Sequence, residues 1–261
     1  MSVEIRSSRV LAKMRRGKVA ICTKINLSDP SVIELAGLAG FDAVWLDREH
    51  VPNDWQNLIH QVRAAKLYDM DTIVRVSKGS YSDLIRPLEA DATAIMYPHL
   101  MGLEEAKKVV YNTKFHPIGR RPIDGGNIDG KFTQIKTQDY IKIMNRERFT
   151  IIQIEDPEPL NELEEIIKLE GIDVVFFGPG DFAQGIGAPG DIGHPRVTEM
   201  KKEVVRLCKK YRCYAGTVAT AANFREIMEM GYDLINVGAD VIGLGKYWND
   251  LCGSLQKLFR V

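Results

Sequence analysis

The chain has 261 residues, 45% hydrophobic and 27% charged, the composition of a globular protein long enough for one α/β barrel or two small domains. Lys plus Arg equals Asp plus Glu, 35 against 35, so the zero net charge gives no electrostatic case for a nucleic acid or an anionic membrane as partner. Cys22, Cys208, Cys213 and Cys252 form no CxxC pair or zinc-spaced cluster, which excludes a sequence-evident zinc site and suggests buried thiols in a reducing compartment.

The first residues, MSVEIRSSRVLAKMRRGK, lack the apolar h-region of a signal peptide, and no apolar run approaches the ~20 residues that span a bilayer. A cytoplasmic protein with no membrane partner is expected. A helix over roughly Ser8–Arg15 precedes the first strand and would cap a barrel floor. Short β-rich runs then alternate with amphipathic stretches. The strands are expected at Lys18–Cys22, Ala43–Asp47, Thr72–Val76, Ala94–Tyr97, Thr150–Glu155, Asp173–Phe177, Cys213–Gly216 and Leu234–Val237. Helical periodicity fills intervals such as Trp55–Ala65, Glu158–Leu169, Arg196–Tyr211 and Ala221–Met230. Asp29-Pro30 and Asp156-Pro157 read as helix starts, and Gly171 as a helix end.

Eight strand–helix units are the number that closes a TIM (β/α)8 barrel, and strands apolar throughout suit a sheet covered on both faces. The interval from Lys114 to Arg148 is rich in glycine and reads as a long loop on the active-site face, followed by a helix from Gln138. With no repeat, low-complexity tract or linker, residues 1–261 form a single domain.

In this register polar residues gather at the C-terminal ends of the strands, where TIM-barrel sites lie. Glu155 and Asp181 follow strands five and six and supply two oxygen ligands. They leave positions for water and substrate, as at a catalytic Mg²⁺ or Mn²⁺ centre. A helix cap or a surface carboxylate is the plainer alternative for each. Asp47 could fix the tautomer of His50 and raise its basicity, making a general base, or His50 could be an ordinary loop histidine. Arg75 interrupts an apolar run and needs an anion, either a substrate carboxylate or a salt bridge to Asp47 or Glu49. Gly178-Pro179-Gly180 can present backbone N–H groups to a carboxylate. Lys24 raises the separate possibility of a Schiff base. His99 sits at a strand end and is ambiguous.

The segment Asp47-Arg48-Glu49-His50-Val51-Pro52-Asn53 resembles the D-x-E-H-x-P-N stretch of the HpcH/HpaI family of class II pyruvate aldolases. Arg75-Val76, Gln153-Ile154-Glu155, Gly178-Pro179-Gly180-Asp181-Phe182 and His194-Pro195 match further segments of that family in order. The resemblance runs from about Gly17 to about Gly245. It implies that Glu155 and Asp181 ligate a divalent ion (Mg²⁺, Mn²⁺ or Co²⁺), that His50 with Asp47 serves proton transfer, and that Arg75 orients the keto oxygen. Gln153, Gly178, Pro179 and Gly180 would line a pocket for pyruvate. The implied reaction is reversible cleavage of a 4-hydroxy-2-oxo acid to pyruvate, or a related 2-oxo acid, plus an aldehyde. The implied assembly is a homo-oligomer, a hexamer as a trimer of dimers, with the last helix exchanged between subunits.

The sequence departs from the family at Leu88-Glu89-Ala90-Asp91-Ala92, where L-D-x-G-A is usual. Glu89 keeps an acid for a substrate-binding role toward a neighbouring subunit, and Asp91 replaces the glycine. Further departures, at Cys22 to Asn26 and at Gly119-Arg120-Arg121-Pro122, leave the acceptor open. A 2-oxo-acid-binding protein with impaired catalysis, or a Schiff-base aldolase using Lys24, are the alternatives. An acyl-CoA lyase ranks lower for want of an added C-terminal segment.

Overall fold

The structure, a computed structural model, describes residues 4–259. Eight parallel strands close into a barrel in sequence order: β1 (Ala20–Ile25), β2 (Ala43–Asp47), β3 (Asp71–Arg75), β4 (Ala94–Tyr97), β5 (Phe149–Ile154), β6 (Val174–Phe177), β7 (Tyr214–Ala219) and β8 (Leu234–Ala239). Side chains alternate in direction along a strand, so every second residue faces the barrel axis. Ala20 and Cys22, Ala43 and Trp45, Ile73, Ala94 and Met96, Phe149 and Ile151, and Val174 and Phe176 pack there as one inner cluster. Trp45 meets Phe176 edge-on at 5.5 Å, and a Cβ on Gly216 would lie 2.6 Å from the Phe176 ring. Gly216 is therefore bare because the barrel centre is already filled.

Helices cover the outside: α1 (Arg9–Met14), α2 (Pro30–Leu38), α3 (Trp55–Leu67), α4 (Tyr81–Glu89), α5 (Leu103–Thr113), α6 (Thr137–Glu147), α7 (Leu163–Ile167), α8 (Pro179–Gly185), α9 (Pro195–Tyr211), α10 (Phe224–Met230) and α11 (Asp240–Phe259). Helix α1 closes the floor as expected. Its Val10, Leu11 and Met14 join the inner cluster. Asp71 accepts from the Ser8 hydroxyl at 2.6 Å and the Val10 N–H at 2.9 Å, and Asp42 accepts from Lys13 at 2.7 Å. Among the described residues of α11 none is buried, and Trp248, Leu251 and Leu258 are exposed.

Two expectations are corrected. Strand β1 lies further on than Lys18–Cys22, so Lys24 sits within the strand, in register with Trp45. The loop between α5 and α6 lies at the barrel floor, not on the active-site face. Its Lys131 pairs with Asp91 at 2.9 Å, and Lys114 reaches Asp173 at 2.7 Å. Asp91 and Asp173 precede β4 and β6, so both mark the N-terminal end of the sheet. Among the described residues no helix is long and apolar enough to cross a membrane.

Candidate active site

The inward alternation continues past the packed cluster into a polar layer. After Cys22 comes Lys24, after Trp45 comes Asp47, after Ile73 comes Arg75, and after Ile151 come Gln153 and Glu155. Asp47 and Arg75 are direct register partners on β2 and β3. The Arg75 guanidinium donates to Asp47 at 3.1 and 2.5 Å, with its Nε also 3.2 Å from Glu49 Oε2. Lys24 Nζ lies 2.8 Å from Asp47, above the Trp45 ring that Arg75 also overlies. Burial opposes ionisation of Asp47, but the bonds and charges of Arg75 and Lys24 outweigh it and hold its carboxyl well below the usual range.

Glu155, 1% exposed, extends beyond β5. Its Oε1 accepts from the His99 N–H at 2.9 Å and its Oε2 from Gln153 Nε2 at 2.9 Å. Burial pushes this carboxyl up to about 7. The His99 bond and charge oppose that rise, and the nearby charge of Asp181 adds to it. Asp181 lies in the first turn of α8, whose N-cap is Gly178 and makes no side-chain cap bond. Neither acid is thus the helix cap that the sequence left open. A Cβ on Gly178 would meet Glu155 Oε2 at 2.6 Å and Glu155 Cβ at 2.8 Å, so only glycine leaves Glu155 its place. Pro179 is buried, whereas a Cβ on Gly180 would meet nothing within 4 Å.

His50 is not paired through its ring with Asp47. That carboxylate receives the His50 backbone N–H at 3.4 Å, while the ring, 58% exposed, approaches Glu49 at 3.6 Å. Asp47 is instead committed to Lys24 and Arg75. Glu89 stands apart from the other site residues. It lines a flank cavity with Trp55, Arg63, Arg86, Asn127 and Phe132. Burial raises its pKa, against the charge of Arg121.

Sequence reasoning missed the role of His99 and Asp156. His99 Nδ1 lies 2.8 Å from Asp156 Oδ2, and its Nε2 lies 3.8 Å from Glu49 Oε1. Burial works against the His99 cation, but Asp156, Glu155 and Glu49 outweigh it and raise the pKa. The available signal was a histidine at a strand end, one strand before an acid pair.

The donor set suits a hard divalent ion. A desolvated carboxylate, a second acid beside it and a buried Gln153 Oε1 without a hydrogen-bond partner all favour a positive charge there. Among the described residues no group of three or more His, Cys, Asp or Glu side chains is placed to hold a metal alone. Two carboxylates leave the remaining positions to water and substrate, as a catalytic centre requires.

A (β/α)8 barrel with acids, an arginine and histidines at the C-terminal mouth defines a barrel enzyme with its site in the usual place. Residues 24–244 match the model of the HpcH/HpaI aldolase/citrate lyase family, and the chain belongs to that family. It is an aldolase, a carbon–carbon lyase. It is 29% identical over 231 residues to the 2-keto-3-deoxy-L-rhamnonate aldolase of Escherichia coli (strain K12), covering 88% of this chain and 86% of the relative. The HpcH/HpaI aldolase from Desulfitobacterium hafniense DCB-2 superposes with a TM-score of 0.88 at 25% identity, covering 96% of each chain. An HpcH/HpaI aldolase/citrate lyase family protein from Burkholderia cenocepacia J2315 gives 0.86 at 29% identity, covering 94% of this chain and 99% of its own.

Proposed function

We propose that the protein catalyses reversible aldol cleavage of a 4-hydroxy-2-oxo acid to pyruvate, or a related 2-oxo acid, and an aldehyde. The divalent ion the reaction calls for (Mg²⁺, Mn²⁺ or Co²⁺) would be held by Glu155 and Asp181. The observation that carries this reading is Glu155, a carboxylate buried at the barrel mouth, crowded by Gly178 and raised to about 7. A 2-keto-3-deoxy sugar acid contains the 4-hydroxy-2-oxo unit, so the substrate named for the Escherichia coli relative falls in the proposed class.

A bound divalent ion supplies a Lewis acid for the 2-oxo group. Arg75, braced by Asp47 and Glu49, would orient the keto oxygen and stabilise charge that develops there. Gln153 and the bare Gly178 shape the floor beneath the 2-oxo acid, with Pro179 packed behind. Cleavage breaks the bond between C3 and C4. The 4-hydroxyl gives its proton to His50, the aldehyde departs, and a proton added at C3 completes the methyl group of pyruvate. Lys24 Nζ is engaged by Asp47 at 2.8 Å, whereas a Schiff base needs the amine free to attack a carbonyl, which counts against the Lys24 alternative.

The same reading includes self-association as a homo-oligomer, with α11 exchanged between copies in a hexamer. Its support is the apolar run Trp248, Leu251, Leu255 and Leu258 on a helix with no buried side chain, beside a groove lined by Ile25, Val32, Leu35, Phe41 and Leu244. In such an assembly Glu89 serves a neighbouring copy, since it does not reach the Glu155 of its own chain. Pyruvate release from a 2-keto-3-deoxy acid tests the chemistry. EDTA should abolish it and Mn²⁺, Co²⁺ or Mg²⁺ should restore it. Release that survives exhaustive chelation overturns the metal-dependent reading.

A further inference from the structure

His99 holds its backbone at φ 46°, in the left-handed region that non-glycine residues seldom adopt and that His, Asn and Asp adopt most readily. Its ring is anchored by Asp156 at 2.8 Å, and its N–H donates to Glu155 Oε1 at 2.9 Å. One residue therefore clamps two consecutive acids. The angle φ sets the direction of a residue's N–H relative to its own side chain. With the ring fixed on Asp156, an extended φ would turn the N–H away from Glu155. The second oxygen of Glu155 is fixed separately, by Gln153. Each oxygen thus takes one donor and keeps a lone pair for a cation.

We propose that His99 is a positioning residue for Glu155: its left-handed backbone, locked through Asp156, aims the N–H that sets the carboxylate in its metal-binding orientation. The inference rests on the reading of Glu155 as a ligand. It concerns the backbone of His99 rather than its ring as a ligand or base.

Two substitutions separate these roles. His99→Asn tolerates positive φ, and its side-chain amide nitrogen falls where the histidine Nδ1 lies, so both bonds persist while Nε2 is lost. His99→Val removes the anchor and places a β-branched residue where it is strongly disfavoured. Mn²⁺ affinity, measured by titration calorimetry, should stay within about twofold for His99→Asn. For His99→Val it should weaken roughly tenfold, the scale of one hydrogen bond to a charged group. His99→Ala follows the valine pattern and serves if that variant does not fold. Equal affinity in wild type and His99→Val overturns the proposal. So does a loss in His99→Asn as large as in His99→Val, which would assign the role to the ring.

Hydrogen exchange of the residue 99 amide in metal-free protein supplies a readout that needs no metal. It should be slow in wild type and His99→Asn and fast in His99→Val. Uniform exchange across the three overturns the positioning role. The expected exchange pattern in a wild type that binds no Mn²⁺ overturns the metal reading alone.

Discussion

Gly178→Ala is a one-carbon test of the site. Gly178 has φ −98° and ψ 90°, angles open to alanine, so backbone strain plays no part in the effect. The added Cβ would stand 2.6 Å from Glu155 Oε2 and 2.8 Å from Glu155 Cβ. A carboxylate tip could swing aside, but Cβ moves only with the backbone after β5. Ordinary carbon contacts begin near 3.5 Å, so the end of β5 must give by about 0.7 Å. Overpacking of this kind costs about 1–3 kcal/mol of stability. The larger effect falls on activity, because misplacing a group at a reacting centre by about 1 Å can cost on the order of 10²-fold. Pyruvate release coupled to NADH oxidation by lactate dehydrogenase gives kcat/KM, and Mn²⁺ titration gives affinity. Both should fall, activity by about 10²-fold, in a protein that still unfolds cooperatively. Wild-type values for both would refute the close fit of Gly178 around Glu155.

Glu155→Gln should remove metal affinity and pyruvate release together while the barrel stays folded. It should also change the pH dependence of stability. A carboxyl raised to about 7 holds its proton more tightly folded than unfolded, so in metal-free protein its contribution is greatest in acid. That contribution declines as pH rises from about 4.3 to 7, by up to about 3 kcal/mol. Urea unfolding of the glutamine variant should lack this decline; parallel curves for the two proteins would contradict it. Asp91 has the opposite sign. It is buried at φ 66°, between Arg148 at 2.6 Å, Lys131 at 2.9 Å and Lys66, and these cations outweigh burial to lower its pKa. Asp91→Asn leaves three cations without their shared partner and should cost about 3–5 kcal/mol at neutral pH. The gap to wild type should narrow as pH falls below about 4, where the unfolded carboxyl takes up its proton; a loss under about 1 kcal/mol in urea would count against the network. Borohydride with pyruvate should leave no mass increment on Lys24; a covalent adduct there would reinstate the Schiff-base route.

The closed barrel was legible because apolar runs of strand length alternate with helical periodicity, and β2 and β4 fall where those runs begin and end. Strand β1 was not delimited this way, since it continues through the polar residues Thr23 and Lys24, the second of which extends into the site layer. Glycine content marks the segment after Lys114 as a loop but carries no information about which end of the barrel holds it. Helix α5 returns the chain to the floor before the loop begins, and the Lys131–Asp91 pair fixes it there. Glu158–Leu169 reads as one helix by periodicity. The segment instead opens as a 3₁₀ turn over Glu158–Glu162, and regular helix follows only in α7. Glu155, Gln153, Asp47 and Arg75 could be placed from strand ends alone because alternation dictates their direction. His99 could not, because its role depends on a backbone angle and a contact with the next strand.

The charges in the polar layer divide by strand, and the division bears on what the site can hold. On the β1–β3 side, Lys24 and Arg75 face Asp47 and Glu49, two cations against two anions in contact. That half is self-neutralised, so His50 finds no free carboxylate on Asp47 and leans on Glu49. On the β4–β6 side, Glu155 and Asp156 have His99 as their one ion-pair partner among the described residues, with Asp181 nearby and only the more distant charge of Arg75 also reaching Glu155. The negative excess is local and partly buried, where effective dielectric is low and an uncompensated charge is costly. A cation belongs on that side. In the proposed reaction the 2-oxo acid would lie between that ion and Arg75. Arg75→Lys keeps the charge but loses the fork that spans Asp47 and Glu49. It should therefore raise KM for the 2-oxo acid and lower kcat, while Mn²⁺ affinity, set across the barrel, stays near wild type. Loss of Mn²⁺ affinity in Arg75→Lys would show that the two halves are not separable.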